Sequence, residues 1–178
     1  MKDTMHNDAS SLREQYLEYG FLGELCREMW KRGIEMDILR SHTDRSGYDI
    51  LLEANGIERH VQMKSSFIGA KTARQKINIR LADKPSGCVI WVRFDPESLK
   101  LAEFLWFGAQ PGEPLPELGD KIGKHEKGDQ HGYKAQRAAI RMINKGRFEL
   151  VPSIPDLADR LFAPDLTKWR LRAVVCIA

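Results

Sequence analysis

The chain has 178 residues, 42% of them hydrophobic and 30% charged, with a formal net charge of +3 and a pI near 8.8. That is the composition of a soluble globular chain long enough for one core without staples, and it excludes a low-complexity or disordered polymer. The mild basicity permits a nucleic-acid partner without demanding one.

Residues 1–10 are polar and read as a tail with no secretory signal. No stretch is apolar for long enough to cross a bilayer. Cys26, Cys88 and Cys176 are widely spaced and odd in number, which fits reduced thiols in a cytoplasmic protein. Ser11-Leu12-Arg13-Glu14 then forms a capping box that opens a helix. Leu12, Tyr16, Tyr19, Leu22, Cys26 and Met29 recur at three- and four-residue steps and predict its buried face. Gly20 and Gly23 weaken the helix and are expected to divide it, and Gly33 ends it. Residues 34–40 read as a first strand, followed by a polar loop in which Asp44 is a turn residue.

Two strands joined by Asn55-Gly56 follow, a hairpin signal. Side chains alternate along a strand, so His60, Gln62 and Lys64 share one face. With the hairpin in register, Asp49 lies beside Gln62 and Lys64: two oxygen donors and a cation. Hard divalent ions take such oxygens, and a lysine beside them can steady a water or a phosphate oxygen. Ser65 and Ser66 follow directly.

Residues 72–83 read as a helix with Ile77 and Leu81 inward, although 77–81 also alternates like a strand. Lys71, Arg74 and Lys76 make this stretch basic, so phosphate contact is expected from them and from the two serines. Residues 88–94 are a buried-strand run and 99–109 a further strand. Residues 110–132, rich in Gly, Pro, Lys and His, read as an exposed loop whose Lys121, Lys124, Lys127 and His131 could close over a nucleic-acid backbone. His125 and His131 lack the paired cysteines of a zinc site. Residues 133–145 read as a helix, 148–151 as a short strand and 155–162 as a last helix. The apolar segment 166–178 is expected to be buried in the core or in a homodimer. Trp30, Trp91, Trp106 and Trp169 are expected in the core.

The order of Asp49, then Gln62-Met63-Lys64, resembles the active site of the PD-(D/E)XK nuclease superfamily, with Gln in place of Glu. Upstream, Gly20-Phe21-Leu22-Gly23-Glu24 looks like that family's first core helix. The resemblance covers roughly residues 12–66, with a looser match near Val89. It implies one α/β domain over residues 1–178: a mixed central sheet flanked by helices, restriction-endonuclease-like. It further implies phosphodiester hydrolysis in DNA, with magnesium or manganese held by Asp49, Gln62 and Glu24, and with Lys64 as the catalytic cation. The second reading is a module of that fold that no longer cuts and instead binds nucleic acid or assembles with itself. Nucleotide-binding loops, nucleophile elbows and dinucleotide fingerprints are absent from the sequence.

Overall fold

The structure is a computed structural model, and it describes residues 10–41, 46–124 and 136–162. Helix α1 spans Ser10–Lys31; strands β1 to β3 span Met36–Arg40, Ile50–Ala54 and Ile57–Phe67. Strand β4 (Arg74–Asn78) and a 3-10 turn (Ile79–Leu81) lead to β5 (Gly87–Phe94) and β6 (Leu101–Gly108). Strands β7 (Ile122–Lys124), β8 (Gln136–Asn144) and β9 (Glu149–Val151) precede helix α2, Ile154–Phe162.

The protein is mixed α/β. A six-stranded sheet runs β1-β2-β3-β5-β6-β9, with β3 and β5 parallel and the other neighbours antiparallel. Asn55 and Gly56 both adopt positive φ, 53° and 73°, as the tight turn between β2 and β3 requires. Strand β5 is buried along its whole length, because it is central and covered on both faces. One face packs Ile50, Leu52, Val61, Ile90 and Val92 against α1 and α2. The other packs Val89, Trp91 and Phe107 against Ile77, Leu81 and Ile143.

The mixed central sheet and its helices are as expected, and the second core adds a layer that is not helical. The covering layer is a three-stranded sheet, β4-β8-β7. Residues 74–78 are therefore strand followed by a 3-10 turn, and residues 136–144 are strand rather than helix. Ile77 and Ile143 turn inward from this sheet, a period-two placement that pairing imposes over the helix propensity of the alanines in β8. The expected loop 110–132 holds β7 and a buried Leu115; its residues 125–132 lie outside the described residues, as do the segment 166–178 and Trp169.

Helix α1 runs unbroken through Gly20 and Gly23, and Gly33 at φ 68° closes its end. Its buried stripe is Leu17, Phe21, Leu22, Leu25 and Met29. Of the expected face only Leu22 and Met29 are buried; Leu12, Tyr16, Tyr19 and Cys26 are exposed, and Trp30 is 85% exposed. Trp91 and Trp106 are in the core. Burial pushes the Cys88 thiol up to about 12, so it is an inert core group. Among the described residues no helix is long and apolar enough to cross a membrane.

Candidate active site

Strand β3 outruns its neighbour. Its ladder with β2 ends at Ile50 opposite Val61, while its ladder with β5 continues to Phe67 opposite Phe94. The stretch from Met63 onward therefore has no β2 partner on that side. Asp49, the residue before β2, takes up the first position of this opening. Its N–H donates to Val61 O at 2.9 Å, and its carboxylate Oδ2 accepts the Met63 N–H at 2.6 Å. Both contacts fix the carboxylate relative to Lys64, the next residue along.

The loop into Asp49 depends on Gly47. Its φ is 81°, and a Cβ there would lie 2.6 Å from the backbone nitrogen of Leu81. Gly47→Ala combines a left-handed strain with a clash against backbone, so it should cost about 2 kcal/mol and lower Tm by roughly 4–8 °C. Thermal unfolding followed by circular dichroism checks this; an unchanged Tm would show that the loop does not rest on the 3-10 turn.

A cleft of about 1010 Å³ opens here between the first half of α1, the free edge of β3 and the β4–β8 wall. Its acidic side chains are Glu14, Glu18 and Asp49; its basic ones are Arg40, Lys64, Arg74 and Lys76. Tyr48 and Ser65 also line it. Glu18 pairs with Arg40 at 2.9 Å. Burial raises the Glu18 carboxyl above the usual carboxylate range, Arg40 pulls it back, and the charge of Asp49 raises it further. Glu18 and Asp49 thus feel each other across the cleft.

The structure distributes the expected site residues unevenly. Asp49, Lys64, Ser65, Arg74 and Lys76 line the cleft. Gln62 is buried, its amide oxygen accepts the Asn78 N–H at 3.2 Å, and it is not among the lining residues. Glu24 is partly buried on α1 and does not line the cleft either. It stands six residues past Glu18, about 120° away around the helix. Ser66 is an internal tether: its Oγ accepts from Trp91 Nε1 and from Arg93, each at 2.7 Å. Lys71 is exposed outside the cleft. His60 sits by the Pro85 carbonyl at 2.9 Å, edge-on to the Tyr48 ring, as a structural anchor.

Glu18 is the residue that the sequence pattern passed over. The signal was present in Leu17, Phe21 and Leu25, an i, i+4, i+8 set with no polar atoms. Taking that set as the buried stripe puts Glu14 and Glu18 on the same side, one turn ahead of the core.

The donor set suits a hard divalent ion. Magnesium is commonly held by one or two carboxylates, with waters and substrate phosphate completing its shell. Glu18 and Asp49 offer two such carboxylates, and their mutual repulsion would be relieved by a cation. Among the described residues, no group of three His, Cys, Asp or Glu side chains could hold a metal ion by itself.

No protein-family model matches the sequence, and no curated protein does. Among solved structures, a bacterial homing endonuclease is similar over 70% of this chain and 85% of its own, at 21% identity and a TM-score of 0.33. A likeness that loose assigns no residue and no reaction, so the chemistry rests on the cleft itself.

Proposed function

We propose that the protein is a metal-dependent nuclease that hydrolyses phosphodiester bonds in DNA at this cleft. The observation that carries the reading is a single cleft lined by two carboxylates, Glu18 and Asp49, by Lys64, and by Arg74 and Lys76 on its wall. Magnesium or manganese bound by the carboxylates would supply Lewis acidity toward a phosphate oxygen. Arg74 and Lys76 hold the phosphate backbone against the wall. Lys64 orients the attacking water and offsets charge gathering on the phosphate, while Asp49 stays aligned through the Met63 amide. In this reading Glu18 takes the place first given to Glu24, and Gln62 serves the packing of β3 on β4.

Incubation of supercoiled plasmid, linear duplex and single-stranded DNA with magnesium, manganese or EDTA tests the reading. Cutting that needs the metal and falls to background in Lys64→Ala supports it. A folded protein that cuts none of these substrates counts against it.

The second reading is a module that binds DNA without cutting. The engagement of Gln62 by Asn78 favours it, because the donor set then lacks a third oxygen. Retained DNA binding in the same protein preparations, with no cleavage under any metal, would decide for it.

A further inference from the structure

Helix α1 carries two apolar stripes, and the core uses one. The other consists of Leu12, Tyr16, Tyr19, Gly23, Cys26 and Trp30, spaced 4-3-4-3-4. That strict alternation is the seam of a two-helix pair, whereas a face built only for a globular core is broader. Leu12, which also edges the cleft, Tyr16 and Tyr19 are about half exposed, and Trp30 is 85% exposed. Among the described residues, nothing stands within 4 Å of a Cβ built at Gly20 or Gly23, so backbone is open to close approach at mid-helix.

We infer that this stripe is the docking surface for α1 of a second copy of the chain, packed antiparallel about a two-fold axis level with Phe21. The stripe is self-complementary in that sense alone. The axis sets Leu12 against Trp30, Tyr16 against Cys26 and Tyr19 against Gly23, a large side chain facing a small one at the last two. A parallel pair would set Tyr16 on Tyr16 and leave a gap at Gly23. Antiparallel packing is also isologous, so it closes as a dimer.

The exposed parts of three aromatics and a leucine supply roughly 500 Å² per copy. With the flanking turns, the pair would bury about 1,100 Å², just below the usual range for a stable interface and within that of weak, transient ones. The dimer is therefore expected to be reversible. Its link to the cleft is Arg40, whose guanidinium lies 4.7 Å from the Tyr19 ring centroid while pairing with Glu18.

Light scattering on the full chain at high micromolar concentration should give twice 20.4 kDa. The double variant Tyr16→Glu, Trp30→Glu changes exposed positions, so it should keep the wild-type circular dichroism and give the single mass. Tyr16→Cys in a Cys176→Ser background should oxidise to a covalent dimer through Cys26 of the other copy, and Cys176→Ser alone should not. A monomeric wild type, or a dimer that survives the double variant, overturns the proposal. So does disulfide formation through Cys26 without Tyr16→Cys. A monomer that dimerises once residues 163–178 are deleted also overturns it, since the chain's own end then occupies the stripe.

Discussion

Arg59→Met is expected to destabilise the protein by about 3 kcal/mol or more, a fall in Tm of roughly 6–12 °C for a chain of this size. Arg59 is fully buried on β3, and none of its hydrogen bonds goes to a carboxylate. Its guanidinium donates to the carbonyls of Leu161 and Arg160 at 2.9 Å each, and to that of Ala109 at 3.0 Å. The first two belong to the last turn of α2, where carbonyls lack helical partners and the dipole favours a cation. The group also lies 5.4 Å from the Trp106 ring centroid. Methionine fills the volume but leaves three carbonyls without donors, each costing on the order of 1–3 kcal/mol. Arg59→Lys should recover less than half of the loss, because one ammonium cannot span the planar fork. Urea unfolding of the three proteins measures this. A Met variant as stable as wild type would mean that water or backbone movement satisfies those carbonyls.

Glu18→Gln should move stability and activity in opposite directions. The Glu18 carboxyl is raised by burial and by Asp49 despite Arg40, so the folded state binds its proton more tightly than the unfolded chain does. That difference removes stability as pH rises from the ordinary carboxylate range through the raised value. A neutral amide avoids it. In metal-free buffer above the raised value, Glu18→Gln should raise Tm, the gain vanishing in acid where wild-type Glu18 is protonated. The same change removes one of the two carboxylates of the proposed cation site. Magnesium-dependent cutting should fall about 100-fold or more, and stabilisation by added magnesium should disappear. A variant that loses stability in metal-free buffer would show that the Arg40 pair outweighs burial.

Much of the fold is legible in the sequence. Asn55-Gly56 announces its turn because few residues accept two positive φ values in succession. Gly87–Phe94 announces a buried strand because its central place leaves no polar face. Asp49 and Lys64 fall together because strand alternation and a tight hairpin fix the register. Residues 133–145 misled for a physical reason: Ala138, Ala139, Met142 and Ile143 suit a helix locally. Of the two partners that make residues 136–144 a strand, β4 lies far off in sequence. Helix α1 is ambiguous through surplus, since two stripes satisfy helical periodicity and only packing against α2, β3 and β6 chooses between them. The choice of stripe also decides which glutamate lines the cleft: the stripe through Leu17 and Phe21 carries Glu18 there and leaves Glu24 aside. Strand alternation puts Gln62 on the face of Lys64, but the second sheet that claims its amide is formed by pairing distant in sequence.

The measurement that bears most directly on the proposed site is the initial rate of plasmid nicking with manganese for wild type, Asp49→Asn, Glu18→Gln and Glu24→Gln. The account predicts cutting by wild type and Glu24→Gln at similar rates, and near-background rates for Asp49→Asn and Glu18→Gln. Loss in Glu24→Gln with activity kept in Glu18→Gln would contradict it and return the second carboxylate to the far flank of the helix.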